Sequence, residues 1–348
     1  MQNFLRIIAL LAGLAIITVG HAAYVHFLKP QNTISNGPRS VIIPKGSGTS
    51  SIAKLLKQHD LLVDDFYFKL AAAAFGYDKK LKAGKFAFKC GATNEHMLKI
   101  LYIGESVKEK VTIPEGLIAK KIASILQRDV NIDSAAFMQL VNSKTQLQKY
   151  GLEGDTFEGY LFPETYFLPW GMSAAEALEV LVLQFKAQLP DSFSQKAARF
   201  GLSAHQAITL ASIVEGEAML DSERAKIAAL YHNRLKKGWK LAADPTIQYF
   251  VPNGPRRLLN ADLAIDSPYN TYLYAGLPPG PINNPGRRSL EATVNPESTP
   301  YLFMVAKGDG SHTFSVTFAK HQQAKREFDK YRRKIARQER AAKQKGKK

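Results

Sequence analysis

Two carboxylates two residues apart, Glu215 and Glu217, close the stretch GLSAHQAITLASIVEGE (201–217). Ser203 followed by Gln206 is a capping-box pair, so the spacing predicts a helix from about Ala204. Ala207, Leu210, Ala211 and Val214 fall on one apolar stripe of that helix. At about 100° per residue the two acids project about 200° apart, on opposite flanks of the stripe, so only one can easily face a given cleft. A carboxylate at a helix C-terminus beside apolar side chains has its charged form disfavoured by the macrodipole and by desolvation. That environment suits a general acid, which needs a raised pKa. The plainer alternative is that both acids face solvent and pair with Arg224 or Lys226. Spacing does not separate Glu215 from Glu217.

Other chemistries find little support. There is no HExxH, and the eight histidines are scattered, so neither a metal nor a cofactor is predicted. No Gly-rich phosphate loop follows a strand, and no Cys/His nucleophile pair is evident. The one cysteine, Cys90, excludes an intrachain disulfide and says nothing about redox compartment.

The elements that must hold the acids are legible in outline. A following helix is predicted from Asp221 or Ser222 through IAALYHNRL to Gly238, a fitting C-terminal stop. In LAADPTIQYF (241–250) the Asp244-Pro245 pair is the pattern of an N-cap with proline at N1, so Asp244 is expected to cap a helix. SPYNTYLYAGLPPGPINNPG (267–286) is too rich in Pro, Gly and Asn for a long helix. As a loop it offers amides, hydroxyls and ring faces suited to an N-acetylated sugar. TPYLFMVAKGDGSHTFSVT (299–317) reads as a hairpin turning at Lys307–Gly310, with His312 on its second strand. FEGYLFPETYFLPWG (157–171) reads as a structured loop or short strands.

Further upstream, VIIP (41–44) is a short strand, and Ile52, Leu55 and Leu56 give Ser51–Leu62 a helical period. A second helix is predicted over Asp65–Phe75 and a strand over Lys85–Phe88. This strand–helix–helix–strand order resembles a LysM-like glycan-binding module, through Pro44, Lys45, Gly46, Ser51, Ile52, Ala53 and Leu56 and through Leu81–Gly84 before the last strand. A structural spacer is the alternative. VTIPEG (111–116) and the segment Ile118–Leu126 repeat the strand–turn–helix pattern more weakly.

Length and 45% hydrophobic content allow about two domains with real cores. Ile7 to Val25 is an uncharged apolar run long enough for a bilayer core, flanked by Arg6 and Lys29, with Tyr24 and Phe27 at interfacial positions. An uncleaved anchor is favoured over a signal peptide cut at Gly20-His21-Ala22. Either way the bulk of the chain is expected outside the cytoplasm. The formal charge of +17 is largely local, because thirteen Lys/Arg fall between Lys320 and Lys348 against Glu327, Asp329 and Glu339. A solvated, frayed helix end explains that tail most simply. Anionic lipid or acidic wall polymer comes next, and no motif supports nucleic acid.

LASIVEGEA (210–218), HNRL (232–235), LAADPTIQY (241–249), YNTYLYAGLPPGPINNPG (269–286) and YLFMVAKGDGSHTFSVTFAKH (301–321) together resemble the YceG-like endolytic murein transglycosylases. EGYLFPETY (158–166), the IPEG turn and the N-terminal anchor add to the resemblance, which covers nearly the whole chain in order. It implies an α+β protein with a single N-terminal transmembrane helix, a small LysM-like βααβ subdomain and a larger mixed α+β catalytic domain. The expected boundaries are 1–28 for the tip and anchor, 29–40 for a linker, 41–106 for the subdomain, 107–325 for the catalytic domain and 326–348 for the basic tail.

The resemblance also implies a mechanism. Glu217, with Glu215 in reserve, protonates the leaving oxygen of a MurNAc–GlcNAc bond, and the N-acetyl oxygen supports the developing cation. Glu217 then deprotonates the MurNAc 6-hydroxyl, giving a 1,6-anhydro end within the strand. One titrating carboxyl suffices. Hydrolysis would need a second acid about 5–10 Å away, for which Glu158, Glu164 and Asp244 are the candidates. Gly216 stands where the family pattern leads us to expect a charged residue. Expected substrate contacts, carried over motif by motif, are Asn233, Asp244, Thr246, Asn270, Thr271, Tyr272 and His312; loop or core hydrogen bonding is the alternative for each. Peptidoglycan strands, the plasma (inner) membrane and wall-synthesising proteins are the implied partners, and a non-catalytic wall-binding scaffold is the competing function.

Overall fold

The structure is a computed structural model that describes residues 2–25, 29, 38–89, 91–252 and 254–345. Most of the expected linker 29–40, together with Phe27 and Cys90, lies outside the described residues, as do the basic side chains of the tail from residue 334 onward. The chain divides into two compact units, each described by itself.

The first unit comprises Met1–Val111, Arg128–Ile132 and Phe167–Ser173. Helix α1 (Gln2–Ala23) contains an apolar window, Arg6–Ala23, long enough to cross a membrane. Then come β1 (Arg39–Ile43), α2 (Thr49–Gln58), α3 (Asp65–Ala74), β2 (Gly84–Phe88) and α4 (Asn94–Ile103). The expected strand–helix–helix–strand order is therefore present, and α4 is added to it. Strands β1 and β2 pair antiparallel, with Val41 opposite Phe86. Alternation places Val41, Ile43, Phe86 and Phe88 on one face, where they pack with Ile52, Leu56, Phe68 and Leu98. The Asp64 carboxylate accepts from Phe66 N at 2.8 Å and starts α3. Thr93 caps α4 in the same way, and Gly104 ends it at φ 79°, a left-handed conformation that favours glycine.

The second unit comprises Thr112–Gln127, Asp133–Tyr166 and Ala174–Lys348. After α4 the chain runs through β3 (Lys108–Thr112), α5 (Ala119–Val130), α6 (Ser134–Val141), α7 (Lys144–Lys149) and β4 (Thr165–Pro169), of which β3, α5 and β4 are divided between the units. It goes on with α8 (Ala174–Gln188), α9 (Phe193–Ala198), α10 (Ala204–Glu217), α11 (Arg224–Lys236), α12 (Asp244–Phe250) and α13 (Arg287–Val294). The hairpin strands β5 (Phe303–Ala306) and β6 (His312–Ser315) precede α14 (Phe318–Lys345), a helix that runs unbroken past residue 325. The fold is thus mixed α+β. Its three sheets, β1–β2, β3–β4 and β5–β6, have two strands each among the described residues.

The core that positions the site is built on α10. Both halves of the expected capping box are present: Gln206 N donates to Ser203 Oγ at 3.2 Å, and Ser203 N donates to Gln206 Oε1 at 2.9 Å. The apolar stripe proves too narrow a description, because every residue from Ala207 to Val214 is buried. Thr209 and Ser212 tolerate this because their hydroxyls donate to the carbonyls of His205 and Thr209. Leu210, Ile213 and Val214 pack with Ile227, Leu230 and Tyr231 of α11 and with Ile282 of the long loop.

Candidate active site

Helix α10 delivers Glu215 and Glu217 at its last turn, and neither points freely into bulk water. The Tyr231 hydroxyl, from the middle of α11, donates to Glu217 Oε1 at 2.9 Å. Burial pushes the Glu217 carboxyl up to about 7, helped by the negative charge of Asp244; the Tyr231 hydrogen bond, His312 and Arg234 pull the other way. Tyr231 is fully buried, and burial holds its own proton on well above the ordinary tyrosine range, so it serves Glu217 as a donor. Arg234, one turn further along α11, has Nε on Leu302 O at 2.8 Å and Nη1 on the carbonyl of Leu241. Its pKa is lowered by burial.

Gly216 lets a second helix come close. A Cβ on Gly216 would lie 2.6 Å from Cβ of Pro245, so the bare backbone allows α12 to close against the last turn of α10. Proline does occupy the first turn of α12, as expected. Asp244 is not its cap, however: Ala243 is the N-cap, and Asp244 is the first helical residue without a capping bond. Its carboxylate is committed elsewhere, since the Tyr272 hydroxyl donates to Asp244 Oδ1 at 2.5 Å. This places Tyr272 and Asp244 together beside Glu217, whose charge raises Tyr272 after burial and the Asp244 contact.

The other expected residues divide into neighbours and supports. His312 lies close enough to influence Glu217. Its Nδ1 sits 2.7 Å from Glu223 Oε2, while its backbone N donates to Glu223 Oε1 at 2.9 Å. Any substrate contact therefore falls to Nε2. Thr246 and Thr271 lie buried beneath Asp244. The Thr246 hydroxyl donates to Ala243 O at 2.7 Å, and Thr271 Oγ1 lies 2.9 Å from Thr246 Oγ1 and accepts from Ala243 N. Asn270 is fully buried, donates to Leu263 O and Ile265 O, and accepts from Tyr272 N at 2.9 Å, so it shapes the loop that presents Tyr272. The structure does not bring the Asn233 amide to this group. Its Nδ2 donates to Thr299 O at 2.7 Å and Tyr301 O at 3.0 Å, tying the hairpin's approach to α11.

Glu215 occupies a different setting on the opposite flank. Its Oε1 lies 3.1 Å from Arg224 Nη1, and its Oε2 accepts from Gly286 N at 3.0 Å and Ser289 Oγ at 2.8 Å. Both ends of this ion pair are buried, at 6% and 9% side-chain exposure. Glu215 thus pairs with Arg224 as the plainer reading anticipated, but inside the protein. Of the other acids, Glu158 is buried against the N-terminus of α5, where both oxygens receive Ala119 N and Oε1 receives Asn284 Nδ2 at 2.7 Å. Burial raises it to about 7. Its neighbours mark it as a brace between α5 and the 281–286 loop.

Glu217, Tyr231, Arg234, Asp244, Tyr272 and His312 form one neighbourhood. Tyr231, Arg234 and Glu223 were not singled out from sequence. The signal available for the first two was their three-residue spacing on one predicted helix, inside and beside the HNRL motif. Among the described residues no group of three or more His, Cys, Asp or Glu is placed to hold a metal ion.

The YceG-like family matches residues 41–327 of this chain. An endolytic murein transglycosylase of Bacillus subtilis is 31% identical, over 86% of this chain and 88% of its own length. One of Streptococcus pneumoniae is 28% identical over 86% of this chain, which spans 60% of that longer protein. A crystal structure of a YceG-like protein from Listeria monocytogenes superposes with a TM-score of 0.57 at 29% identity, covering 82% of this chain and 98% of that one. With residues 41–327 matched by the family and a relative 31% identical over 86% of its length, the chain belongs to the YceG-like family.

Proposed function

We propose that this protein is a peptidoglycan lytic transglycosylase that cleaves MurNAc–GlcNAc bonds within glycan strands and leaves 1,6-anhydroMurNAc ends. The observation that carries the reading is the divergent treatment of two acids on one helix turn. Glu215 is locked by Arg224, Gly286 and Ser289, whereas Glu217 is a half-buried carboxyl raised to about 7 with one hydroxyl donor. A group poised near neutrality can give up a proton and take it back. Glu217 protonates the leaving glycosidic oxygen; the substrate's N-acetyl oxygen supports C1; Glu217 then removes the proton of the 6-hydroxyl as that oxygen closes onto C1. The names of the relatives, endolytic murein transglycosylases, support the substrate and the lyase chemistry.

Around this centre, Asp244, Tyr272 and His312 Nε2 contact the sugar, and Thr246, Thr271 and Asn270 hold that surface in place. Asn233 serves by fixing the hairpin. The βααβ segment, residues 41–106, holds glycan as a LysM-like module, and 107–325 carries the chemistry. Helix α1 anchors the chain in the plasma membrane with the catalytic part outside the cytoplasm, where wall-synthesising proteins are its neighbours.

The test is mass spectrometry of purified glycan strands treated with the full chain in detergent. Anhydro ends, lost in Glu217→Gln, are expected. Hydrated reducing ends would identify a muramidase instead, and intact strands a wall-binding scaffold.

A further inference from the structure

Beyond the acid, the second unit exposes aromatic rings that the cleavage chemistry does not use. Trp239 follows α11 and is 42% exposed, and Phe318 at the start of α14 is 59% exposed. Phe303 of β5 lies between them, with ring centroids 5.8 Å from Trp239 and 5.9 Å from Phe318. The sequence around the tryptophan is Lys236-Lys237-Gly238-Trp239-Lys240, exposed throughout.

Arg234 is a neighbour both of this surface and of Glu217. Trp239 N donates to Arg234 O at 2.9 Å. The Arg234 guanidinium donates to Leu302 O, next to Phe303, and lies close enough to feel the charge of Glu217. A single residue, through its backbone carbonyl and its guanidinium, thus touches both the aromatic surface and the neighbourhood of Glu217.

We infer that Trp239, braced by the inclined ring of Phe303 at 60°, forms a platform for a sugar ring of an anionic glycan strand, away from the bond being cut. A flat exposed indole accepts the apolar face of a pyranose. Lys236, Lys237 and Lys240 around the rim complement carboxylates on lactyl or peptide substituents, and such contacts weaken as salt rises. The inference rests on the glycan-cleaving reading above and names where the rest of the strand lies.

The experiment uses the full chain in phosphatidylcholine nanodiscs, carrying Glu217→Gln to keep strands intact and Trp170→Phe to leave Trp239 as the one tryptophan. Purified peptidoglycan strands are titrated while Trp239 emission is recorded. Saturable change in emission is expected. By pull-down, Trp239→Ala should weaken strand binding about tenfold, and Trp239→Phe should restore most of it. Lys236→Glu with Lys237→Glu should weaken binding at low salt and matter little at high salt. Unchanged binding by Trp239→Ala overturns the platform. So does emission that responds to phosphatidylglycerol in the disc and not to strands, which would make the surface a lipid contact. Cleavage by the Glu217→Gln chain would count against the catalytic assignment alone, because binding at Trp239 is read separately.

Discussion

The hydroxyl of Tyr231 donates to Oε1 of Glu217 across 2.9 Å, from the middle of one buried helix to the last turn of another. The bond favours the ionised carboxyl and partly offsets the burial that raises it. In the proposed mechanism Glu217 starts protonated, so cleavage should fall as pH rises through about 7. Tyr231→Phe removes a donor to the charged form. A hydrogen bond to a charged group contributes about 1.5–3 kcal/mol, so the alkaline limb of kcat/KM should move up by about one pH unit. Asp244→Asn removes a repelling charge and should move the same limb down. Limbs that stay put in both variants would disconnect Glu217 from the observed titration.

The two acids of the last turn should fail differently. Glu217→Gln is expected to abolish cleavage while the melting temperature stays near or above that of the parent at neutral pH. Glu215→Gln breaks a buried ion pair, a loss of about 3 kcal/mol, at the low end for such pairs because Asp221 stays 2.9 Å from Arg224. Its folded fraction should still cleave. Circular dichroism melts beside product analysis separate the two; wild-type cleavage by Glu217→Gln would pass the catalytic role to Glu215.

Stability should also depend on pH with a definite sign. Glu158 has its folded pKa raised from the ordinary 4.5 to about 7, so the folded chain holds a proton that the unfolded chain releases. The associated stability is complete below about pH 4.5 and is lost as pH climbs through about 7. For this 7%-exposed group the loss approaches about 3 kcal/mol at most. The midpoint of urea unfolding should therefore fall between pH 5 and 7.5. Glu158→Gln should flatten much of that slope; an undiminished slope in that variant would place the titration elsewhere.

Helix α1 gives a simpler test. Removing residues 1–25 should release the protein from the membrane fraction, and N-terminal sequencing of the native chain should find α1 retained. A mature terminus just beyond Ala22 would mean that the segment is a signal peptide.

What could be read from sequence was what neighbours in the chain decide. The Ser203/Gln206 box, the βααβ order and the hairpin carrying His312 each have signals in runs of neighbouring residues, and all are present. Asp244 as a cap failed because a tyrosine 28 residues away claims its carboxylate. The different settings of Glu215 and Glu217 were only partly legible: Arg224, nine residues on, was a visible partner, but Gly286 and Ser289, which complete the hold on Glu215, lie more than 70 residues downstream. All-round burial of α10 was hidden for the same reason: the side chains that cover its polar positions come from elsewhere in the fold.

The hairpin is fastened twice. Glu223 grips His312 by both backbone and ring, and Asn233 grips the strand's approach at Thr299 and Tyr301. Phe303 stands between these two rivets. These ties hold the hairpin, and Phe303 with it, against the elements around Glu217. A long strand seated at both points would be cut a constant number of sugars from where it is gripped, and the enzyme would act as a ruler.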